Sequence, residues 1–341
     1  MGHRKSSPPR ARVFLLADIA ALLFAFAAVA LIAYPPAREL AQSAFARPTP
    51  TAAPPAATAA PSATLTPTPT PTPVLTPSPS PSPSPAPGDF SAAFASADIA
   101  EGMDYVYRGD DCLIGIEEYY VEDAVLFVAD VYVRDIHLLK TAFANGSFKG
   151  RSSKYEDILD LCLESGALFG VSGDFVSVRD DGIVIRNGVL LQDQKYADIC
   201  VLYVDGSLAV YGPREKTAEQ LNDGTVWQTW CFGPNLLDED GQAIEINHKL
   251  MRDNPRCAIG YYEPGHYCFV VVDGRQKYYS AGMTLTELSA FMAQLGCKAA
   301  YNLDGGMTAQ MVLEDNLVNQ PPLGGRRVGD IIYLERTEPQ E

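Results

Sequence analysis

The sequence predicts an α+β domain, a mixed β-sheet with helices packed on it and βαβ crossovers within it. Two stretches repeat a strand–helix–strand order, and short alternating runs punctuated by turn dipeptides fill the chain between and after them. All of this lies beyond residue 88, where the composition changes abruptly.

The N-terminal part divides into three. Residues 1–12 carry Arg4, Lys5, Arg10 and Arg12 and read as a cytoplasmic tail. Residues 13–34 are almost wholly apolar, broken only by Asp18 near one end. As a helix they reach roughly 33 Å, enough for a bilayer core. A cleaved signal peptide is the rival reading, since Ala44-Phe45-Ala46 has the small-residue look of a cleavage site. That site lies far past an apolar run already long for a signal peptide, so an uncleaved anchor is expected. Residues 35–88 are a juxtamembrane and Pro/Thr/Ser-rich linker with no apolar pattern from which to build a core. Its alternating prolines favour extended polyproline II, with a reach on the order of 125 Å. The expected location is the cell membrane, single-pass, with the domain of residues 89–341 outside the cytoplasm.

Within that domain, residues 124–133 read as an apolar strand. Ser153 and Glu156 form a capping box, Tyr155, Ile158, Leu159 and Cys162 form the expected buried stripe, and Gly166 stops the helix. A second strand at 167–171 enters Ser172-Gly173-Asp174. The later segment is sharper. Residues 267–272 are a buried-type strand ending in Asp273-Gly274-Arg275. Thr284 and Glu287 cap a helix whose face carries Leu285, Leu288, Phe291, Met292 and Leu295, and Gly296 ends it. Residues 298–301 then lead into Asn302-Leu303-Asp304-Gly305-Gly306. A strand–helix–strand of this length predicts parallel neighbouring strands joined by a right-handed crossover. Both strands then end at one sheet edge, which brings Asp273 and Arg275 beside Asn302 and Asp304. Elsewhere, residues 199–211 read as a hairpin about Asp205-Gly206, and 225–232 and 331–334 as further strands.

The net charge of −16 argues against nucleic acid as a partner. It also requires that any anionic substrate be met by a local cluster of Arg or Lys. The seven cysteines form no CxxC, and several sit in apolar runs as ordinary core thiols, with one or more disulfides as the other reading. The four histidines have no metal-ligand spacing. No cofactor is expected, and a divalent cation near the Asp cluster has no independent support.

Taken singly, each polar turn is an ordinary tight turn. Their convergence on one edge is what suggests a site, with Arg256 and Arg275 supplying positive charge and Gly305-Gly306 admitting a ligand close to the backbone.

The blocks Asn254-Pro255-Arg256-Cys257-Ala258-Ile259-Gly260, Val270-Val271-Val272-Asp273-Gly274-Arg275, Gly282-Met283-Thr284-Leu285-Thr286-Glu287-Leu288 and Asn302-Leu303-Asp304-Gly305-Gly306 resemble, in this order, those of the phosphodiester glycosidase family. Gly173-Asp174-Phe175, Ile185-Arg186-Asn187-Gly188-Val189 and Phe232-Gly233-Pro234 are similar to further blocks of it, so the resemblance spans about residues 125–335. Ser172 stands where that family usually has Asn. Met307-Thr308-Ala309 replaces a Gly-Ser stretch, and the bulkier Met307 is expected to narrow the site. Arg326-Arg327-Val328-Gly329-Asp330 matches the last block only loosely.

The resemblance implies hydrolysis of a sugar-1-phosphate diester in a surface glycan or wall polymer. The partner is then a phosphorylated glycan or sugar-phosphate polymer, with the membrane as a second partner through the N-terminal helix. Arg256 and Arg275 take the departing phosphate. Asp304 is base or nucleophile, with Asp273 as its partner or orienter. Asn302, Asp174, Gly305, Gly306 and Thr308 contact the substrate. The alternatives are a non-catalytic glycan-binding module of the same fold and a purely structural surface protein.

Overall fold

The computed structural model describes residues 88–176, 178–246 and 252–337. Apart from Gly88, the tail, anchor and linker expected over 1–88 lie outside these residues. Among the described residues no helix is long and apolar enough to cross a membrane.

The strands run β1 (Tyr105–Arg108), β2 (Cys112–Val121), β3 (Ala124–Val133), β4 (Leu139–Phe143), β5 (Ala167–Ser172), β6 (Ile183–Arg186), β7 (Val189–Asp193) and β8 (Ile199–Tyr203). They continue with β9 (Leu208–Tyr211), β10 (Val226–Trp230), β11 (Arg256–Glu263), β12 (His266–Val272), β13 (Ala299–Leu303), β14 (Met311–Leu313), β15 (Asn316–Leu317) and β16 (Asp330–Glu335). Among the described residues four short α-helices accompany them: α1 (Ser91–Phe94), α2 (Ile158–Glu164), α3 (Ala218–Leu221) and α4 (Leu285–Gln294).

One sheet has the order β1-β2-β3-β12-β11-β13 and a second the order β15-β14-β5-β16-β4; β10-β8-β9 and β6-β7 complete the set. Period-two alternation sorts their side chains. From the first sheet, Phe127, Phe269, Val271, Ile259 and Leu303 face the second sheet's Phe169, Val171 and Ile332 in the main core, with Phe169 and Phe269 ring centroids 5.5 Å apart. The opposite faces of the same strands present Leu126, Val270, Val272, Ala258 and Ala300 to α4, which answers with Leu285, Leu288, Phe291 and Met292. On the far side of the second sheet, Ile158, Leu161 and Cys162 of α2 pack on Ile331 and Tyr333. Two face-to-face sheets thus lie between two outer helices.

Every strand pairing among the described residues is antiparallel. That corrects the expected mixed sheet with parallel neighbours. β12 and β13 do run in the same direction, but β11 lies between them and pairs antiparallel with both. The cause is local. β11 and β12 are joined by a tight turn at Pro264-Gly265, and such a short closure takes the neighbouring position before the longer α4 crossover can fill it. The shared edge survives this correction, because strands once removed still end together.

The first crossover departs further. β3 and β5 belong to different sheets, and α2 starts at Ile158 with Asp157 as its cap, accepting from the Leu159 amide. Residue 156 is held extended by a bridge to Val328, so Ser153 and Glu156 accept instead from the amides of Lys149 and Asn145. Tyr155 and Leu159 are exposed, while Ile158, Leu161 and Cys162 are buried. The second capping box forms as expected, with Thr284 and Glu287 each accepting from the other's amide. Gly296 takes φ +83° just past the helix end. All seven cysteines are buried and free, with Cys268 Sγ 3.5 Å from Cys297 Sγ.

Candidate active site

Four chain segments meet at the edge where β12 and β13 end and β11 begins. The register sets Arg256 opposite Val272 and Cys257 opposite Leu303, so the turns after β12 and β13 flank the start of β11. Their backbones nearly touch. A Cβ on Gly282, which sits at φ +100°, would stand 2.4 Å from the Asn254 carbonyl, and one on Gly305 would stand 2.8 Å from the Pro255 carbonyl oxygen. Only glycine permits that approach, and the Gly306 amide donates to the same Pro255 oxygen at 2.8 Å.

The resulting cleft has a volume of about 370 Å³, and its wall includes Arg256, Arg275, Asn302, Gly305 and Gly306, five of the nine expected site residues. Arg256 is buried. Its Nε donates to the Met283 carbonyl at 2.8 Å and Nη2 to the Arg252 carbonyl at 3.0 Å. Burial and the neighbouring charge of Arg275 pull its pKa down to about 10, so it remains a cation at neutral pH. Arg275 is exposed to the cleft, with Nε and Nη2 both donating to Asn254 Oδ1 at 3.0 and 2.8 Å. Among the described residues no carboxylate lies within ion-pair distance of Arg275. Asn302 Nδ2 donates to the Gly233 carbonyl at 2.7 Å, and its Oδ1 is buried at the cleft wall without a hydrogen-bond partner.

The other four expected residues are not part of this wall. Asp273 does not face the cleft. It is 0% exposed and accepts from Tyr279 Oη at 2.9 Å, Asn319 Nδ2 at 2.7 Å and the Gln320 amide at 2.8 Å. Its pKa is raised by burial, against the pull of those three bonds. β12 alternation explains the placement: Asp273 follows Val271 onto the face between the sheets. Thr308 is buried and donates to the Gly305 carbonyl at 2.6 Å, bracing the turn. Asp304 sits one residue before the cleft-lining glycines. Burial pushes its carboxyl up to about 6, opposed by the Thr308 hydroxyl and the charges of Arg326 and Arg179 and reinforced by Asp174. The chain around it is tied to β5, as its amide donates to the Gly173 carbonyl and its carbonyl accepts from the Ser172 hydroxyl. Met307 is half-buried and is not part of the cleft wall, so it does not narrow this space.

Asp174 is buried behind the site. Its Oδ2 accepts from the Cys231 amide at 2.7 Å and lies 3.5 Å from Arg186 Nη2. That guanidinium is also 3.4 Å from Asp330 Oδ2, and Asp330 Oδ1 accepts from the Asp174 amide. Burial raises the Asp330 pKa while Arg186 opposes it.

Sequence reasoning missed two residues of the cleft. Arg179 donates to the carbonyls of Cys231 and Phe232 and lies 5.0 Å over the Phe232 ring. Asp198 is a carboxylate in the cleft wall, with Oδ2 accepting from the Asn235 amide at 3.2 Å. Both sit in polar loop stretches that look like any surface turn. Among the described residues no group of three or more His, Cys, Asp and Glu side chains is placed to hold a metal ion.

A family model described as phosphodiester glycosidase matches residues 165–335, half of the chain. The chain belongs to the phosphodiester glycosidase family. The match begins just before β5 and runs to the end of β16, so it takes in every segment that meets at the cleft.

Among curated relatives of this family member, an uncharacterized SPbeta prophage-derived protein, YomE of Bacillus subtilis, is 32% identical over 146 residues, covering 40% of this chain and 22% of that protein. The N-acetylglucosamine-1-phosphodiester alpha-N-acetylglucosaminidase of Mus musculus is 23% identical over 214 residues, covering 55% of this chain and 39% of that enzyme. The chain therefore spans well under half the length of these two relatives. Among solved structures, the catalytic domain of the zebrafish N-acetylglucosamine-1-phosphodiester alpha-N-acetylglucosaminidase aligns with a TM-score of 0.55 at 17% identity, over 70% of this chain and 86% of that one, a likeness of fold.

Proposed function

We propose that this phosphodiester glycosidase domain hydrolyses the bond between a sugar's anomeric carbon and a phosphate oxygen in a phosphodiester-linked glycan. The observation that carries this reading is the pair Arg256 and Arg275 at one cleft of an otherwise acidic chain. Arg275 is oriented by a neutral amide oxygen, so its charge remains available to an anion. Phosphate is the group that leaves, and donors aimed at the charge it gains lower the barrier. A phosphate monoester is also a weak base, so it needs less protonation on departure than a sugar hydroxyl. Asn302 Oδ1, buried and unpartnered at the wall, is suited to accept from a sugar hydroxyl.

Asp304 supplies the electron pair, either to a water or directly to the anomeric carbon through an oxocarbenium-like transition state. Burial raises its pKa to about 6, so it is mainly ionised at neutral pH and basic enough to take a proton. Asp273 acts at one remove, pinning the loop that carries Arg275. A second reading gives the basic role to Asp198, because that carboxylate stands in the cleft wall. Asp304→Asn and Asp198→Asn separate them, since the variant that retains turnover eliminates its residue.

The apolar run at 13–34 behind Arg4, Lys5, Arg10 and Arg12, and the proline-rich stretch after it, support a domain held outside the cytoplasm on a membrane-anchored stalk. Protease added to intact cells is then expected to release a soluble fragment, and protection of the domain contradicts this orientation. The direct test of activity is incubation of the protein with an N-acetylglucosamine 1-phosphate diester. Release of free sugar and phosphomonoester is expected. Binding of the diester without turnover identifies a glycan-binding module instead.

A further inference from the structure

Beyond Arg275 lies a second, more open trough of about 580 Å³. Its walls are the end of β2 with Tyr120, the β2–β3 turn with Glu122 and Asp123, and the loop from Arg275 to Ala281, with Gln276, Lys277 and Tyr278. Arg275 lines both spaces, so a phosphate held by its guanidinium stands at the junction between them.

Two features of this trough are unusual. Tyr278 is 93% exposed and Tyr120 71% exposed. Single exposed aromatics are common and need no explanation, but these two come from separate elements and line one space. Tyr278 also sits at φ +71° and Arg275 at φ +60°, conformations that non-glycine residues seldom adopt. The loop is nonetheless tightly held. The Arg275 amide donates to the Ala281 carbonyl, Gln276 and Ser280 bridge each other, the Ser280 hydroxyl donates to the Asp273 carbonyl, and the buried Asp273 carboxylate takes the Tyr279 hydroxyl. A strained backbone fixed so that an aromatic ring stands in solvent points to a ligand surface.

A phosphodiester has two substituents. When the sugar to be released occupies the 370 Å³ cleft, the other substituent leaves the Arg256–Arg275 pair toward the trough. We propose that the trough is a subsite for an oligosaccharide chain on that side of the phosphate, with Tyr278 and Tyr120 as its stacking platforms. This rests on the phosphodiester glycosidase reading of the cleft. A pyranose ring offers a flat C–H face that packs on an aromatic ring, while its rim of hydroxyls meets the Glu122 and Asp123 carboxylates and the Gln276 amide. The space lies in the range that accommodates ligands of several rings and exceeds what one monosaccharide fills. The substrate is then a phosphate-bearing glycan chain, and the bond cut is still that between the anomeric carbon and the phosphate oxygen, which frees the sugar and leaves the phosphomonoester on the chain.

The test compares two diesters of N-acetylglucosamine 1-phosphate, one with methanol and one with a linear trihexose, on the whole protein and its Tyr278→Ala, Tyr120→Ala and Tyr278→Phe variants. The trihexose diester is expected to show the lower KM. Either Ala variant raises that KM by about 3- to 10-fold, as loss of an aromatic contact implies. Turnover of the methyl diester stays unchanged, and Tyr278→Phe behaves as the parent. Equal changes on both diesters, or no change on either, overturn the proposal. If the parent cleaves neither diester, the functional reading falls, and the subsite is decided by calorimetry with the uncharged trihexose alone. Binding that Tyr278→Ala abolishes supports the subsite, and no binding to the parent overturns it.

Discussion

Arg186 and Arg275 are the same residue type in opposite settings. Arg186 is 2% exposed, wedged between Asp174 and Asp330, with the Trp230 and Phe143 rings about its guanidinium. Its charge is consumed by the two carboxylates, and the cluster ties β5, β6 and β16 together behind the site. Arg275 projects into a cleft, held by the side-chain oxygen of Asn254, and its charge adds to burial in lowering the pKa of the neighbouring Arg256. Neutralised charge serves the fold, and charge left uncompensated and oriented serves a ligand. The carboxylates divide along the same line. Burial raises the pKa of both, but Asp273 is saturated by three donors that oppose the rise, whereas the Asp304 carboxyl beside the cleft turn is pushed up to about 6.

The largest effect expected from probing this contrast is at Asp304. Asp304→Asn keeps the shape and removes the base, so turnover falls about 10²–10⁴-fold. The same change raises stability. The folded-state pKa of about 6 exceeds the ordinary 3.8, so the folded state holds this proton more tightly than the unfolded chain. The associated stability is fully present below about pH 4 and is lost as the pH rises through about 6. Asn carries no charge to desolvate. The variant is therefore expected to be more stable than the parent by ~2–3 kcal/mol at pH 7.5, with the difference vanishing near pH 4. Urea denaturation at both pH values checks this, and a variant less stable at pH 7.5 contradicts it. Activity of the parent is expected to rise with pH through about 6.

Next comes Arg186→Met, which leaves two buried carboxylates unpaired and is expected to cost about 3–5 kcal/mol. The loss is greater at pH 8 than at pH 5, because the Asp330 carboxyl, its pKa raised by burial, can take up a proton at the lower pH. A pH-independent loss would show that packing under Trp230, rather than charge, is what Arg186 supplies. Smaller still is Asn254→Ala, which frees the Arg275 fork without removing its charge. A decrease of about 3- to 10-fold in kcat/KM with stability changed by ~1 kcal/mol or less is expected, and an unchanged rate would mean that Asn254 does not orient the guanidinium.

Much of this arrangement was legible in the sequence, and the failures have physical causes. The Thr284–Glu287 box and the apolar stripe of α4 are local signals, and they placed the helix correctly. Direction along the chain placed the ends of β12 and β13 together, even though the neighbour relation was wrong, because β11 forms its hairpin over a two-residue turn. The assignment of Asp273 to the cleft read the turn as a unit. Continuing the alternation of Val271 and Val272 by one residue would have put it between the sheets. Arg179 and Asp198 reach the cleft wall through loops that carry no periodic pattern. Of the two carboxylates that hold Arg186, Asp330 is 144 residues away and Asp174 lies in a different element, so no local signal marks Arg186 as buried and paired.

The central claim is that Arg275 acts on the departing phosphate. The most direct measurement is kcat/KM of Arg275→Ala relative to the parent on two substrates, an N-acetylglucosamine 1-phosphate diester and an aryl N-acetylglucosaminide that lacks phosphate. A loss of about 10²–10³-fold on the diester is expected, the size of a removed electrostatic donor. Arg275→Lys restores it in part, because a point charge lacks the fork. The aryl glycoside should lose far less. Equal losses on both substrates would contradict the account and assign Arg275 to the sugar or to the fold.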